Sequence, residues 1–151
     1  MADSLRLDPW CFGNDGQNFP SPDYKQWLEY DTLSEFGQGS PVHGPCYWVT
    51  ANGARTLLHK RCGGPPVWDN LGCKVALPLW ERHWFRGFIA RIGVLDITTA
   101  ELTILAPRFR VLHLQSFDDL IVRGIDSPIW QPKDLAINIA ATAKRVVYAL
   151  R

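Results

Sequence analysis

The chain has 151 residues, 46% of them hydrophobic and 21% charged, which suits one folded domain and excludes a disordered polymer. Its 16 basic and 15 acidic side chains give a formal net charge of +1, so a nucleic-acid partner is not expected. The first residues contain no apolar secretion segment, and no apolar run approaches the roughly 18 residues of a membrane helix. With four irregularly spaced cysteines, these features predict a cytoplasmic protein (host cytoplasm if viral) with no membrane partner, carrying free thiols or a metal site.

The first quarter of the chain predicts an irregular arm followed by a helix. Ser21-Pro22-Asp23 is a typical helix start, because serine caps a helix and proline fits its first position. Gly37 or Gly39 would end this helix. We therefore assign residues 1–37 to an N-terminal arm and helix, and residues 38–151 to a compact domain within one globular unit.

Residues 46–62 permit two structures. As a helix, they place apolar side chains on one face and end at Gly63-Gly64-Pro65-Pro66. As a hairpin, they turn at Asn52-Gly53, a strong two-residue turn signal flanked by β-branched and aromatic residues. The firm stop after residue 62 favours the helix, and the hairpin is kept as the alternative.

The second half of the chain predicts mainly strands. Residues 78–85 are predicted to form a short helix, and residues 88–95, 101–105 and 110–115 to form an antiparallel meander. A further helix is expected from Pro132 to about Ala141, and residues 145–150 either extend it or form a terminal strand. The expected fold class is α+β, with a helical N-terminal half packed on a small antiparallel sheet.

Cys46 is the residue on which chemistry is most expected to depend. Gly44-Pro45-Cys46-Tyr47 would place this thiol in the first turn of a helix, after a glycine-bearing loop. Helix N–H groups and the helix dipole stabilise a thiolate there, which makes a cysteine nucleophilic. The pattern therefore favours nucleophilic catalysis by Cys46.

Gln38-Gly39-Ser40 and Gly44-Pro45-Cys46-Tyr47 together resemble the motif of papain-like cysteine proteases. The spacing to His113 is similar to that of the compact viral leader proteases, such as the potyviral helper-component and hypoviral leader enzymes. The resemblance implies a papain-like, compact fold and a cysteine endopeptidase that forms a thioester acyl-enzyme without a cofactor. It also implies self-cleavage, with the enzyme's own C-terminal segment as the polypeptide substrate.

The same resemblance assigns a role to each site residue. Cys46 would be the nucleophile, and His113 the general base and acid. Gln38, with the Cys46 N–H, would donate hydrogen bonds to the oxyanion. Asp126 would orient the histidine, with Asp118 and Asp119 as alternatives.

A zinc-binding module that docks to a protein or RNA partner is the alternative function. His43-x-x-Cys46 and His59-x-x-Cys62 form two ligand pairs with twelve residues between them. Zinc takes four nitrogen or sulfur ligands tetrahedrally, and a hairpin that turns at Asn52-Gly53 would place Cys46 opposite His59. Cys73 would be a spare ligand.

Seven tryptophans are many for a chain of this length. Trp80 and Trp84, with His83 between them, either pack in the core or form a surface for a protein partner. A non-enzymatic interaction domain that uses its tryptophans is therefore a third interpretation.

Overall fold

The computed structural model describes residues 7–13 and 18–150, and every regular element among them is a β-strand. The first five strands are β1 (Asn18–Pro20), β2 (Gln26–Tyr30), β3 (Ser34–Glu35), β4 (Val42–Thr50) and β5 (Arg55–Cys62). The next four are β6 (Val67–Trp68), β7 (Lys74–His83), β8 (Gly87–Asp96) and β9 (Glu101–Leu105). The last four are β10 (Leu112–Asp118), β11 (Ile121–Asp126), β12 (Lys133–Asn138) and β13 (Lys144–Ala149). Parts of the predicted arm, residues 1–6 and 14–17, lie outside the described residues, as does residue 151.

The predicted α+β fold with a helical N-terminal half is wrong, because the described residues contain antiparallel sheets and no helix. Consequently, no membrane-spanning helix is found in residues 7–13 and 18–150. Ser21-Pro22-Asp23 forms a turn between β1 and β2, where the Ser21 hydroxyl donates to the Asp23 carboxylate at 2.6 Å. Residues that cap helices also stabilise turns, and the burial of Leu28 and Tyr30 follows the two-residue period of a strand.

The ambiguous segment 46–62 belongs to a hairpin, so the favoured helix is wrong here too. The Gly53 N–H donates to the Thr50 carbonyl at 2.8 Å, and Gly53 has a φ of 86°, which glycine adopts without strain. The Asn52 carboxamide oxygen accepts the Ala54 N–H at 3.0 Å and stabilises the turn. The alternative register is confirmed at one point, since Cys46 lies opposite His59.

The strands predicted in the second half are confirmed in part. β8 and β9 pair as expected, but β9 continues to β13 rather than to β10. Residues 145–149 therefore form the terminal strand, which was one of the two alternatives. The helices predicted over 78–85 and 132–141 are wrong, because most of each segment lies in β7 or β12. Both segments begin at or near a proline and contain apolar residues, and this pattern also occurs in strands that are buried by neighbouring strands.

The strands form two sheets. The larger has ten strands with the main order β1-β2-β4-β5-β7-β8-β9-β13, and β3 and β6 pair with β4 and β7. β5 and β7 pair through a single position, Cys62 opposite Leu79. The smaller sheet has the order β10-β11-β12.

The β7–β8 hairpin is buried on both faces. Val75, Leu77 and Leu79 belong to one hydrophobic core, which includes residues of β2, β4 and β5. The alternate residues Ala76 and Trp80 belong to a second core, shared with β10 and β11 of the smaller sheet. Burial on both faces explains why β7 and β8 are almost continuously apolar in sequence.

The smaller sheet depends on the absence of a side chain at Gly124. A Cβ atom there would press against the His113 carbonyl oxygen and lie 2.9 Å from the Leu114 Cα. These are backbone atoms of β10 beside an irregularity in its pairing with β11, so they have little freedom to move.

We predict that Gly124→Ala lowers the free energy of unfolding by about 2 kcal/mol, because it overpacks the contact between β10 and β11. Gly37→Ala is the matched control, since a Cβ there has no neighbour within 4 Å. Urea unfolding of both variants measures the difference. Equal stability of the two variants would contradict the close packing at Gly124.

Candidate functional site

The predicted nucleophile, Cys46, lies within a strand and has no exposed surface. It belongs to the first core together with Cys62 and Tyr30. Cys62 donates to the His59 carbonyl at 3.3 Å, and the Tyr30 hydroxyl donates to the Gly63 carbonyl at 2.6 Å. Burial raises the pKa of the Cys62 thiol and of the Tyr30 hydroxyl, because an apolar environment disfavours their charged forms.

The other predicted catalytic residues have different partners. His113 Nε2 lies 3.1 Å from the Leu7 carbonyl oxygen, and Gln38 is exposed in the turn between β3 and β4. Asp126 ends β11 opposite Leu112. Within the described parts of the chain, no hydrogen bond joins Cys46 to His113. The endopeptidase function stays an untested prediction, and the helix N-terminus that was to activate Cys46 is a strand interior.

The proposed zinc ligands are distributed through the hairpin without forming a cluster. Cys46 and Cys62 are enclosed in the core, and His43 stacks on Phe36 with ring centroids 3.8 Å apart. His59 Nδ1 accepts the backbone N–H of Arg61 at 3.0 Å. Among the residues that the structure describes, no group of three or more His, Cys, Asp and Glu side chains could hold a metal ion.

A more distinctive site lies at the end of the β7–β8 hairpin. It is a cavity of about 570 Å³, open to solvent, where the hairpin meets the segment that leads from β9 to β10. Its lining combines guanidinium groups with aromatic rings and consists of Arg86, Phe88, Ile89, Arg108, Phe109, Arg110 and Asp126.

The backbone holds residues 106–111 firmly beside β8. Phe109 and Ala90 exchange two backbone hydrogen bonds of 2.8 Å, which form an isolated antiparallel bridge. The Phe109 ring packs against the second core, and its neighbours Arg108 and Arg110 are exposed. Successive side chains of an extended segment point in opposite directions. Because the Phe109 ring points toward the core, the side chains of Arg108 and Arg110 point away from the core.

Asp126 fixes the other side of this segment. Its Oδ1 atom accepts the Arg110 and Val111 backbone N–H groups at 3.0 and 3.3 Å, and the Ser127 hydroxyl at 3.2 Å. This carboxylate oxygen is therefore occupied by backbone and hydroxyl donors. The predicted catalytic orienter is, in the structure, a support for the arginine segment.

The three arginines of the cavity have no acidic partners among the residues that the structure describes. No ion pair among the described residues involves Arg86, Arg108 or Arg110. Arg108 Nη1 lies 3.1 Å from His83 Nε2. A guanidinium group can only donate, so His83 Nε2 accepts this hydrogen bond.

A neighbouring cavity of about 360 Å³ contains arginines with a structural role, which form ion pairs with a carboxylate. It is lined in part by Glu81, Arg91 and Arg145. Arg91 is buried, donates to Glu81 Oε2 at 2.9 Å and also donates to the Ala106 carbonyl. Arg145 lies 3.5 Å from the same carboxylate. These charges are paired, whereas those around Arg108 are not.

Exposed aromatic residues surround the unpaired arginines. Trp84 and Phe85 form the hairpin tip and are 88% and 86% exposed. Arg110 also lines a second, more apolar cavity of about 330 Å³ with Trp10, Ile129 and Trp130. Trp130 is 68% exposed and Ile129 is 75% exposed. The two cavities are therefore adjacent surfaces that share one arginine.

The sequence analysis identified only part of this site. Trp84 and His83 were considered as a partner surface, but Trp80, treated with them, is 4% exposed and belongs to the second core. The arginines were missed because the whole-chain charge is nearly zero. The signal available was local: arginine alternates with aromatic residues in both 82–88 and 108–110.

Comparison of the chain with protein-family models, with curated proteins and with solved structures finds no match.

We predict that iodoacetamide alkylates the exposed Cys11 first and leaves Cys46 and Cys62 unmodified until the protein unfolds, because both of these thiols are buried. Mass spectrometry of the labelled peptides, with and without denaturant, measures the order. Cys11 serves as the internal control for an accessible thiol. If Cys46 reacted faster than Cys11 in the folded protein, the burial of Cys46 would be contradicted and the endopeptidase prediction strengthened.

We also predict that the protein loses stability as the pH falls from about 7.5 to about 5. Burial, with the nearby Arg61 guanidinium, lowers the pKa of both His43 and His59 below 6.5. The unfolded chain therefore binds these protons first, so the stability that is fully present above pH 6.5 is lost as the pH falls below 6.5 and through the lower pKa values of the folded state.

The variant His43→Phe should flatten this pH dependence, since it keeps the ring stacked on Phe36 and removes one titrating group. Urea unfolding at several pH values tests both statements. If the free energy of unfolding of the wild-type protein rose on acidification, the predicted direction of the pH dependence would be wrong.

Proposed function

We propose that this protein is a non-enzymatic binding module that holds a phosphate-bearing ligand in the arginine-lined cavity. The observation that carries the proposal is the set of three guanidinium groups, Arg86, Arg108 and Arg110, around one cavity, with no acidic partner in residues 7–13 and 18–150. The cavity volume, about 570 Å³, is within the range of small-molecule sites, roughly 300–1,000 Å³.

The chemistry of the lining suits phosphate. Arginine offers a planar fork of N–H donors that binds phosphate oxygens in pairs, and it stays charged at all physiological pH values. Asp126 is the one carboxylate in the lining, against three guanidinium groups, so the cavity keeps an excess of positive charge.

The position of the arginines favours a ligand site over a structural role. The charges that this fold uses internally are paired, as Arg91 and Arg145 are with Glu81. Arg108 and Arg110 flank the anchored Phe109, so their backbone is ordered before any ligand arrives. A ligand would therefore meet a largely preorganised site, which reduces the entropy cost of binding.

The zinc-module prediction is not chosen because, although its hairpin is present, the described residues contain no group of three or more side chains that could hold a metal ion. The endopeptidase prediction is not chosen because of the burial of its nucleophile. Cys46 has no exposed surface, so a peptide carbonyl would reach it only after the core opened. The third interpretation from the sequence, an interaction domain that uses its tryptophans, is compatible with the proposed site. The proposal adds to it an anionic ligand and the arginines that hold it.

We expect inorganic pyrophosphate to bind at low ionic strength, and the double variant Arg86→Ala/Arg108→Ala to weaken this binding at least about tenfold, since each lost charged hydrogen bond is worth about 1.5–3 kcal/mol. Isothermal titration calorimetry measures both affinities. The double variant Lys25→Ala/Arg123→Ala is the control, because it removes two exposed positive charges outside the cavity. No pyrophosphate binding, or equal weakening in both double variants, would show the proposal to be wrong.

A further inference from the structure

We infer that the ligand is single-stranded nucleic acid, with phosphates on the cavity arginines and unpaired bases stacked on the exposed aromatic residues beside them. This inference rests on the proposed function and adds the class of ligand. Proteins that bind single strands combine a positively charged groove with aromatic platforms for successive bases, and this surface has both components.

The charged component is continuous across two cavities. Arg110 lines both the 570 Å³ cavity and the 330 Å³ cavity, so a chain that leaves one enters the other beside a guanidinium group. Arg86 also lines the first cavity and directly follows Trp84 and Phe85 in the chain. An extended polyanion therefore fits the arrangement better than a single compact anion.

The aromatic component consists of Trp84 and Phe85, which precede Arg86 in the chain, and of Trp130 in the second cavity. Trp84 and Phe85 project from the hairpin next to Arg86, and Trp130 lies in the second cavity with Arg110. Each of these three rings has more than two thirds of its surface exposed. Soluble proteins rarely leave so many large apolar groups together on the surface unless they bind something. Flat rings beside guanidinium groups match the alternation of base and phosphate in a single strand.

Single-stranded nucleic acid fits this surface better than a duplex or a membrane does. Stacking on a protein ring requires bases free of their own stack, which a duplex does not offer. A membrane would engage a protruding tip such as Trp84-Phe85, but it leaves the concave, arginine-lined part of the surface unused. Among the described residues, neither cavity is lined by Asn or Gln, which commonly read base edges, so little sequence preference is expected.

The test is fluorescence anisotropy with labelled oligo-dT and oligo-U of about twelve nucleotides, a length within known single-strand site sizes. We expect both oligonucleotides to bind at least about tenfold more tightly than a duplex of the same length. Three arginine–phosphate contacts predict that log K falls with log salt concentration with a slope of about −2.

Substitution of the exposed tryptophans separates the contribution of base stacking to binding from the contribution of the arginine charges. Trp84→Ala and Trp130→Ala should each weaken oligonucleotide binding at least about fivefold, because one stacked base is lost, and should leave pyrophosphate binding unchanged. Tyr24→Ala is the matched control, since Tyr24 is a 77% exposed aromatic residue that lines neither cavity.

The outcomes distinguish the inference from the proposed function. If pyrophosphate binds but the oligonucleotides bind no more tightly, the inference is wrong and the proposed function stands. Preference for duplex, or full affinity in both tryptophan variants, also overturns the stacked single strand. Binding to vesicles of phosphatidylserine and phosphatidylcholine, without binding to oligonucleotides, would identify a membrane surface instead. If neither pyrophosphate nor any oligonucleotide binds, both proposals fail.

Discussion

The burial of the β7–β8 hairpin on both faces is the constraint on which the rest of this structure depends. The pairing of the two strands runs without interruption from Lys74 and Asp96 to His83 and Gly87. Because one core lies on each face, the hairpin is held along most of its length, and its last residues extend beyond both cores. Trp84 and Phe85 are exposed for this reason: the hairpin is longer than the layers that cover it.

The same hairpin organises the arginine-lined cavity. The antiparallel bridge between Ala90 and Phe109 attaches the segment from β9 to β10 to β8, and Asp126 attaches it to the smaller sheet. The cavity therefore forms where the two sheets and their connection meet, and it needs no residue from a long loop. Its arginines remain charged and unpaired at little cost because they are solvated, whereas Arg91, which is buried in β8, requires Glu81 and the Ala106 carbonyl.

Part of the local structure was predictable from the sequence, either directly or as one of two alternatives. The strand Glu101–Leu105 was predicted with its observed bounds, and Asn52-Gly53 indicated the turn that the structure contains. The helices were wrong because their signals also occur in β proteins: Ser21-Pro22-Asp23 stabilises a turn, and Gly63-Gly64-Pro65-Pro66 ends a strand. Pairing partners such as β9 with β13 could not be predicted, since contacts between distant strands leave no local pattern. The Cys46 motif shows the same limit. A nucleophile must be exposed to its substrate, and the exposure of a residue depends on the whole fold.

The candidate site was missed for a related physical reason. Net charge averages the whole chain, but binding depends on how charges are paired in space. Here Glu81 binds Arg91 and Arg145, and Asp96 binds Lys74. Arg86, Arg108 and Arg110 form no ion pair among the described residues, and all three line one cavity at the end of a hairpin. A nearly neutral chain can therefore present a locally basic surface, and the partner it attracts follows from the local arrangement of charges rather than from their sum.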